Sequence, residues 1–327
     1  MRRMGFFGAS VLCVTVAVAG CVSRDAVSSP TPATSLATGT PPPVTGAHDP
    51  TSATSATATA HVPEGGKPDK ALLVVEENHT QSSALSGMPY LASMADTYGR
   101  TSAYQAVAHP SLPNYLALIG GSTFGVTDDR PPADHPVNGN SDLDLALAAG
   151  TTAKAYIEDM PGRCVLASGG DYAVKHNPWA YFKDETPRRN CQTFDVPAGT
   201  PAGGALHDDV QAGTLPTIGV LIPNLCHDAH DCPLSAADDW LRQWLPTLMQ
   251  GPDFRAGHLA IVITFDEDDS AGGNTVLTTV IAPTVQHVST ATHLTHYSLT
   301  RYLAELSAIP PPGEAAKAPS LSNAFGI

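Results

Sequence analysis

Carboxylates and imidazoles in this 327-residue chain stand where short apolar runs stop. Residues 71–75 end at Glu76-Glu77-Asn78-His79, and residues 153–157 end at Glu158-Asp159. Residues 218–222 lead into Asn224 and the run His227-Asp228-Ala229-His230-Asp231, and residues 260–265 into Asp266-Glu267-Asp268-Asp269. One acidic strand end is a solvated loop. Several converging on one place repel each other unless a cation neutralises them. The pattern therefore predicts a divalent metal centre with oxygen and imidazole ligands, a mix that does not select the ion. A second chemical feature is His109-Pro110-Ser111-Leu112-Pro113-Asn114-Tyr115. Ser111 is expected at a helix N-cap, with Pro113 in the first turn and the helix closing at Gly120-Gly121. Taken alone this is a well-capped helix. Beside a metal centre, Ser111 becomes a nucleophile for phosphorus. A helix N-terminus suits a phosphoryl group, Asn114 stands one turn on, and a serine hydroxyl needs a base or a metal to react.

Such residues need a scaffold that brings strand ends together. Short, continuous apolar runs are the mark of strands buried on both faces, as in a parallel sheet covered by helices. A further run spans 276–282, and helices are expected over 88–98, 143–149 and 236–249. Alternating strands and helices predict an α/β fold, in which ligands gather at the carboxyl ends of the strands. Trp240 and Trp244, at helical spacing, read as core, and Asp268 and Asp269 as a solvated loop.

The 31 acidic and 17 basic side chains leave a formal net charge of -14. That excludes nucleic-acid binding through a general basic face. An anionic substrate would need a local cation. No apolar run after residue 20 approaches the roughly 20 residues of a membrane-spanning helix. Arg2 and Arg3 precede a short apolar stretch, and Val18-Ala19-Gly20-Cys21 resembles a bacterial lipobox. The alternative is an ordinary cleaved signal. The expected organisation is a lipoprotein signal at 1–20 and an Ala/Ser/Thr/Pro-rich tether at 21–68. A domain at 69–309 and a tail at 310–327 follow. The protein would be exported and held at the cell membrane, facing outward, by a lipid on Cys21, with release from the membrane as the alternative. Cys164, Cys191, Cys226 and Cys232 remain, an even number that suggests two disulfides. Of the three pairings, Cys164–Cys191 with Cys226–Cys232 is preferred, because each closes a local loop. A zinc site lacks the close two-residue spacing usual for one.

Six stretches occur in order: Glu77-Asn78-His79-Thr80, the 109–115 motif, Lys175-His176-Asn177-Pro178, Pro223-Asn224 with Asp228-x-His230-Asp231, Asp266-Glu267, and His296-Tyr297-Ser298-Leu299. Together they resemble the bacterial phosphoesterase family of acid phosphatases and phospholipases C, within the alkaline phosphatase superfamily. The smaller secreted actinobacterial acid phosphatases are the most similar branch. The resemblance implies a single α/β domain with a central, mostly parallel sheet flanked by helices. It implies that Ser111 is phosphorylated in turnover and that Asn114 holds the transferring phosphate. Glu77, Asn78, Asp266 and Glu267 would bind a divalent metal. His176, His230 and His296 would surround the phosphate or a second cation, with Asp228 and Asp231 beside them. Two-zinc members carry Asp-His where this chain has Asp266-Glu267, so a single metal with histidines on the phosphate is a further expectation. The implied activity is an acid phosphatase acting on a phosphorylated small molecule or a phospholipid headgroup. A phospholipase C and a non-catalytic lipoprotein that binds metal or phosphate are the alternatives.

Overall fold

A computed structural model describes residues 66–327. The expected signal, Cys21 and most of the tether lie outside the described residues. The strands are β1 (Lys70–Glu76), β2 (Gly99–Thr101), β3 (Tyr104–Gln105), β4 (Ala153–Ile157), β5 (Asp195–Pro197), β6 (Ile218–Ile222), β7 (Leu259–Phe265), β8 (Thr278–Ile281), β9 (Val288–Thr290) and β10 (Leu294–Thr295). The helices are α1 (Gln81–Gly87), α2 (Pro89–Thr97), α3 (Ser111–Gly120), α4 (Asp142–Ala148), α5 (Glu185–Phe194), α6 (Ala205–Ala212), α7 (Leu234–Gln250), α8 (Pro252–Arg255), α9 (His296–Leu306) and α10 (Leu321–Phe325).

Eight strands form one sheet in the order β5-β4-β6-β1-β7-β8-β2-β9, and β10 pairs with β3 separately. Only β8 runs antiparallel to its neighbours, β7 and β2. The other pairings in the sheet are parallel. The central strands β6 and β7 are buried along their whole length, and β1 along all but Lys70. Both faces are covered, so continuous apolar runs are what these positions demand. Helices α3, α4 and α9 pack as one group, and α1, α2, α6, α7 and α8 as another. Trp240 and Trp244 are buried in α7, as expected.

The strand ends are aligned by the ladder itself. Leu221 of β6 is level with Val74 of β1, and Phe265 of β7 with Glu76. The ladder continues one step beyond: Asp266 N–H donates to Glu76 O at 2.9 Å, and Glu77 N–H to Asp228 O at 2.8 Å. The acidic ends of β1, β6 and β7 are thereby held side by side.

Both expected disulfides form, with Cα–Cα distances of 5.3 Å for Cys164–Cys191 and 4.6 Å for Cys226–Cys232. The second ties off the loop carrying Asp228, His230 and Asp231. Residues 310–327 pack onto the domain: Leu321, Phe325 and Ile327 are buried, and Arg301 donates to Ala318 O at 2.8 Å. Gly121 makes part of this possible. It ends α3 with φ 66°, and a Cβ there would lie 2.3 Å from Pro312 O. Among the described residues no helix is long and apolar enough to cross a membrane.

Candidate active site

Helix α3 presents Ser111, but not as its cap. Pro110 takes the N-cap position in an extended conformation, and Ser111 is the first helical residue. The expectation of an N-cap serine is corrected by Asp129, whose Oδ1 accepts the Leu112 N–H at 2.9 Å. A carboxylate from elsewhere does the capping, and the serine hydroxyl is left for other work. Ser111 Oγ donates to Glu77 Oε2 at 3.1 Å, and both residues are buried. Tyr115 lies one turn on, on the same face of the helix. Its ring stacks on His176, with centroids 5.0 Å apart and planes 12° from parallel.

His176 stands between two carboxylates. Its Nε2 is 3.1 Å from Glu77 Oε1 and its Nδ1 is 3.0 Å from Asp228 Oδ2. These are ion-pair distances without hydrogen-bond alignment: Glu77 Oε1, His176 Nε2 and Asp228 Oδ2 have no hydrogen-bond partner, nor does Asp266 Oδ2. Burial and then the charges of Lys175 and His230 hold His176 well below the usual imidazole range. Four buried polar atoms left open at one place are costly, unless a ligand takes them up. Glu77, His176 and His230 each offer an atom within 4.8 Å of the others. Carboxylate oxygens with imidazole nitrogens suit a divalent ion, so the residues fit the expected metal. Cys164, Cys191 and Asp195 are equally close together, but those sulfurs are bonded to each other and cannot serve as thiolates.

The remaining carboxylates are held firmly. Asp266 Oδ1 accepts the N–H of Asn78 at 3.1 Å and of Glu267 at 2.6 Å. Burial pushes Asp266 up to about 6 against these bonds, and pushes Asp228 up to about 7. Burial followed by the charge of Asp266 carries Glu267 up to about 8. Glu77 is raised well above the carboxylate range by burial, then by Asp266 and Asp228. Without a cation the cluster takes up protons. Asn78 contributes its backbone N–H from a left-handed conformation, φ 57°.

Two residues expected on the phosphate have other duties here. His296 is fully buried, its Nε2 2.6 Å from Asp266 O and its Nδ1 3.1 Å from the Tyr104 hydroxyl. The carbonyl accepts a hydrogen bond from Nε2–H, which leaves Nδ1 to accept from Tyr104. Both nitrogens are committed, and the ring supports the Asp266 peptide instead of facing a substrate. Asn114 Oδ1 accepts the N–H groups of Val107 and Ala108, and its Nδ2 faces Ala108 O, Pro110 O and Glu267 Oε2. Its amide braces the turn before Ser111 and is not free for an incoming oxygen. Asp231 is exposed and accepts from His230 Nδ1 at 2.7 Å. Asp268 is not solvated: it is buried, and its oxygens accept the N–H groups of Ser270, Gly272 and Asn274. Asp269 is exposed, as expected.

Three residues belong to the site that the sequence did not single out for it. Lys175 Nζ lies 3.0 Å from His230 Nε2 and 3.1 Å from Asp129 Oδ2. Asp129 is the cap of α3 already described. His109 reaches Glu267 Oε2 at 3.0 Å and Asp268 Oδ1 at 3.3 Å from an exposed position. A lysine beside the site histidine, in a chain so acidic, was the available signal for Lys175. Asp129 follows no apolar run, and nothing in its surroundings marks it.

Residues 69–306 match the Phosphoesterase family. The chain is 30% identical over 260 residues to the phosphatidylinositol-3-phosphatase of Mycobacterium tuberculosis, covering 78% of this chain and 82% of that protein. It is 31% identical over 220 residues to the phosphate-repressible acid phosphatase of Penicillium chrysogenum, covering 63% of this chain and 50% of that one. The chain spans about half the length of the fungal relatives it matches. A protein of the alkaline phosphatase superfamily from Vibrio parahaemolyticus shares its fold, with a TM-score of 0.53 at 12% identity over 80% of this chain and 72% of that one. On this fold and this match, the chain belongs to the Phosphoesterase family and is a phosphoric ester hydrolase.

Proposed function

We propose that the protein is an exported acid phosphatase that hydrolyses phosphate monoesters through a phosphoserine at Ser111. The observation that carries this reading is the Ser111 hydroxyl, bonded at 3.1 Å to a buried Glu77 beside open carboxylate and imidazole atoms. The names of the relatives, a phosphatidylinositol phosphatase and acid phosphatases, support a monoester substrate on a small molecule or a phospholipid headgroup. Glu77, Asp266 and His176 are the residues to hold a divalent ion, with Asp228, Asn78 and Glu267 close by. Such an ion supplies a lowered hydroxyl pKa and screens the phosphate charge.

The chain's own groups do the rest. Ser111 Oγ attacks phosphorus in line, and its proton leaves along the hydrogen bond to Glu77. The bond from phosphorus to the ester oxygen breaks as the new one forms. The departing oxygen takes a proton from the rim imidazole His109 and leaves as the alcohol. Water then attacks the phosphoserine, which restores Ser111 and releases inorganic phosphate.

Ser111→Ala is expected to cut aryl phosphate turnover at least about 1,000-fold while leaving circular dichroism unchanged. Turnover that survives the change would remove Ser111 as the nucleophile. Export agrees with two disulfides in one domain, which persist in an oxidising compartment. The proposed anchor is the lipid on Cys21. Cys21→Ser should move the protein from the membrane fraction to the soluble one, and unchanged fractionation would exclude that anchor.

A further inference from the structure

We propose that Lys175 is the residue that selects phosphate monoesters over diesters, by pairing its ammonium with the third non-bridging oxygen of the phosphoryl group. The inference rests on the phosphatase reading above.

The geometry fixes where this charge stands. Asp129 bridges Lys175 to the nucleophile helix: Oδ1 accepts the Leu112 N–H at 2.9 Å and Oδ2 lies 3.1 Å from Lys175 Nζ. The ammonium is thereby tethered to the residue that follows Ser111. On its other side it lies 3.0 Å from His230 Nε2. An ammonium only donates, so that nitrogen is the acceptor and His230 Nδ1 carries the proton given to Asp231. Asp129 and His230 take two of the three ammonium protons, and the third has no acceptor among the described residues. With its side chain 19% exposed, Lys175 is sheltered but open on one side.

Charge balance says what that open side is for. Glu77, Asp228, Asp266 and Glu267 crowd the site with carboxylates, and a monoester dianion adds two more negative charges. Lys175 acts favourably on Glu77, Asp228 and Glu267, so its charge reaches across the cluster. In phosphoryl transfer the charge spreads over three equatorial oxygens. A monoester offers all three as anionic acceptors. A diester offers two and puts an alkyl or aryl group in the third place. That group gives the ammonium nothing to pair with and strips its water, which is costly.

The test compares the purified full-length wild type with Lys175→Met and Lys175→Arg. The substrates are p-nitrophenyl phosphate and bis(p-nitrophenyl) phosphate. In parallel, inorganic phosphate binding is measured by calorimetry in the Ser111→Ala background, with and without Lys175→Met. Expected is a loss of about 100-fold in monoester kcat/KM for Lys175→Met, weaker phosphate binding, and a nearly unchanged diester rate. Lys175→Arg should restore part of the monoester rate, because it keeps the charge. Equal losses on both esters, or phosphate binding unaffected by Lys175→Met in a folded protein, would overturn the assignment. A wild type that prefers the diester would instead overturn the phosphatase reading, and the phosphate-binding comparison would still decide the role of Lys175.

Discussion

At the scale of single residues, the site is built from atoms whose partners fix their direction. Tyr104 donates to His296, and His296 donates to the carbonyl of Asp266, whose side chain is then aimed by two N–H groups. Burial lowers His296 to about 4, so above that pH the ring is neutral and keeps this polarity. Tyr104→Phe removes the only donor to Nδ1 among the described residues and leaves a buried acceptor open. The expected cost is about 1–2 kcal/mol in urea unfolding. A looser Asp266 should also show as weaker binding of a divalent ion. Unfolding and ion binding both equal to wild type would mean that the Tyr104–His296 pair positions nothing.

At the scale of elements, function depends on short connections leaving the strands together. The loop after β6 turns back on itself within a few residues, delivering Asp228 to His176 and His230 to Lys175. Its staple is Cys226–Cys232, separated by 6 in sequence. Closing so small a loop restricts the unfolded chain by about 2 kcal/mol. Replacing both cysteines with serine should lower the unfolding free energy by about that amount. Because Asp228 and His230 lie inside the loop, divalent-ion binding should weaken as well. A loss of stability with ion binding unchanged would show that the loop holds its shape without the staple.

At the scale of the whole molecule, the collected acids link folding, protons and metal. Burial raises Asp228 to about 7, Asp266 to about 6 and Glu267 to about 8 in the folded chain. Unfolded carboxylates titrate near about 4. Between those limits the folded, metal-free protein binds more protons than the unfolded one. Its stability must therefore fall as pH rises from about 4 to about 8. A divalent ion needs the ionised groups, so its binding expels protons and tightens as pH rises. Thermal unfolding in chelator should show a midpoint that drops from about pH 5 to about pH 8, with added ion restoring most at the upper end. Calorimetry in buffers of different ionisation enthalpy should register the released protons. A flat profile in chelator would mean that these carboxylates are not held as described.

Much of this was legible in the sequence. Strands β4 and β6 coincide with the apolar runs at 153–157 and 218–222, and α2, α4 and α7 lie within two residues of their expected ends. Residues buried on both faces of a sheet must be apolar throughout, and the acids that follow mark where the sheet ends. The meeting of Glu77, Asp228 and Asp266 follows from parallel strands having their carboxyl ends on one side. Short outer strands such as β2 and β9 carry too few residues, and too mixed a set, to form a pattern. Side-chain direction lay further out of reach. His296 turns to a backbone carbonyl, Asn114 is consumed by its own turn, and Lys175 meets an Asp129 46 residues away. Composition and spacing determined which chemical groups reach the strand ends. Only the tertiary structure decided which of their atoms are free, because a hydrogen bond is spent on whichever partner packing brings within about 3 Å, however distant in the chain.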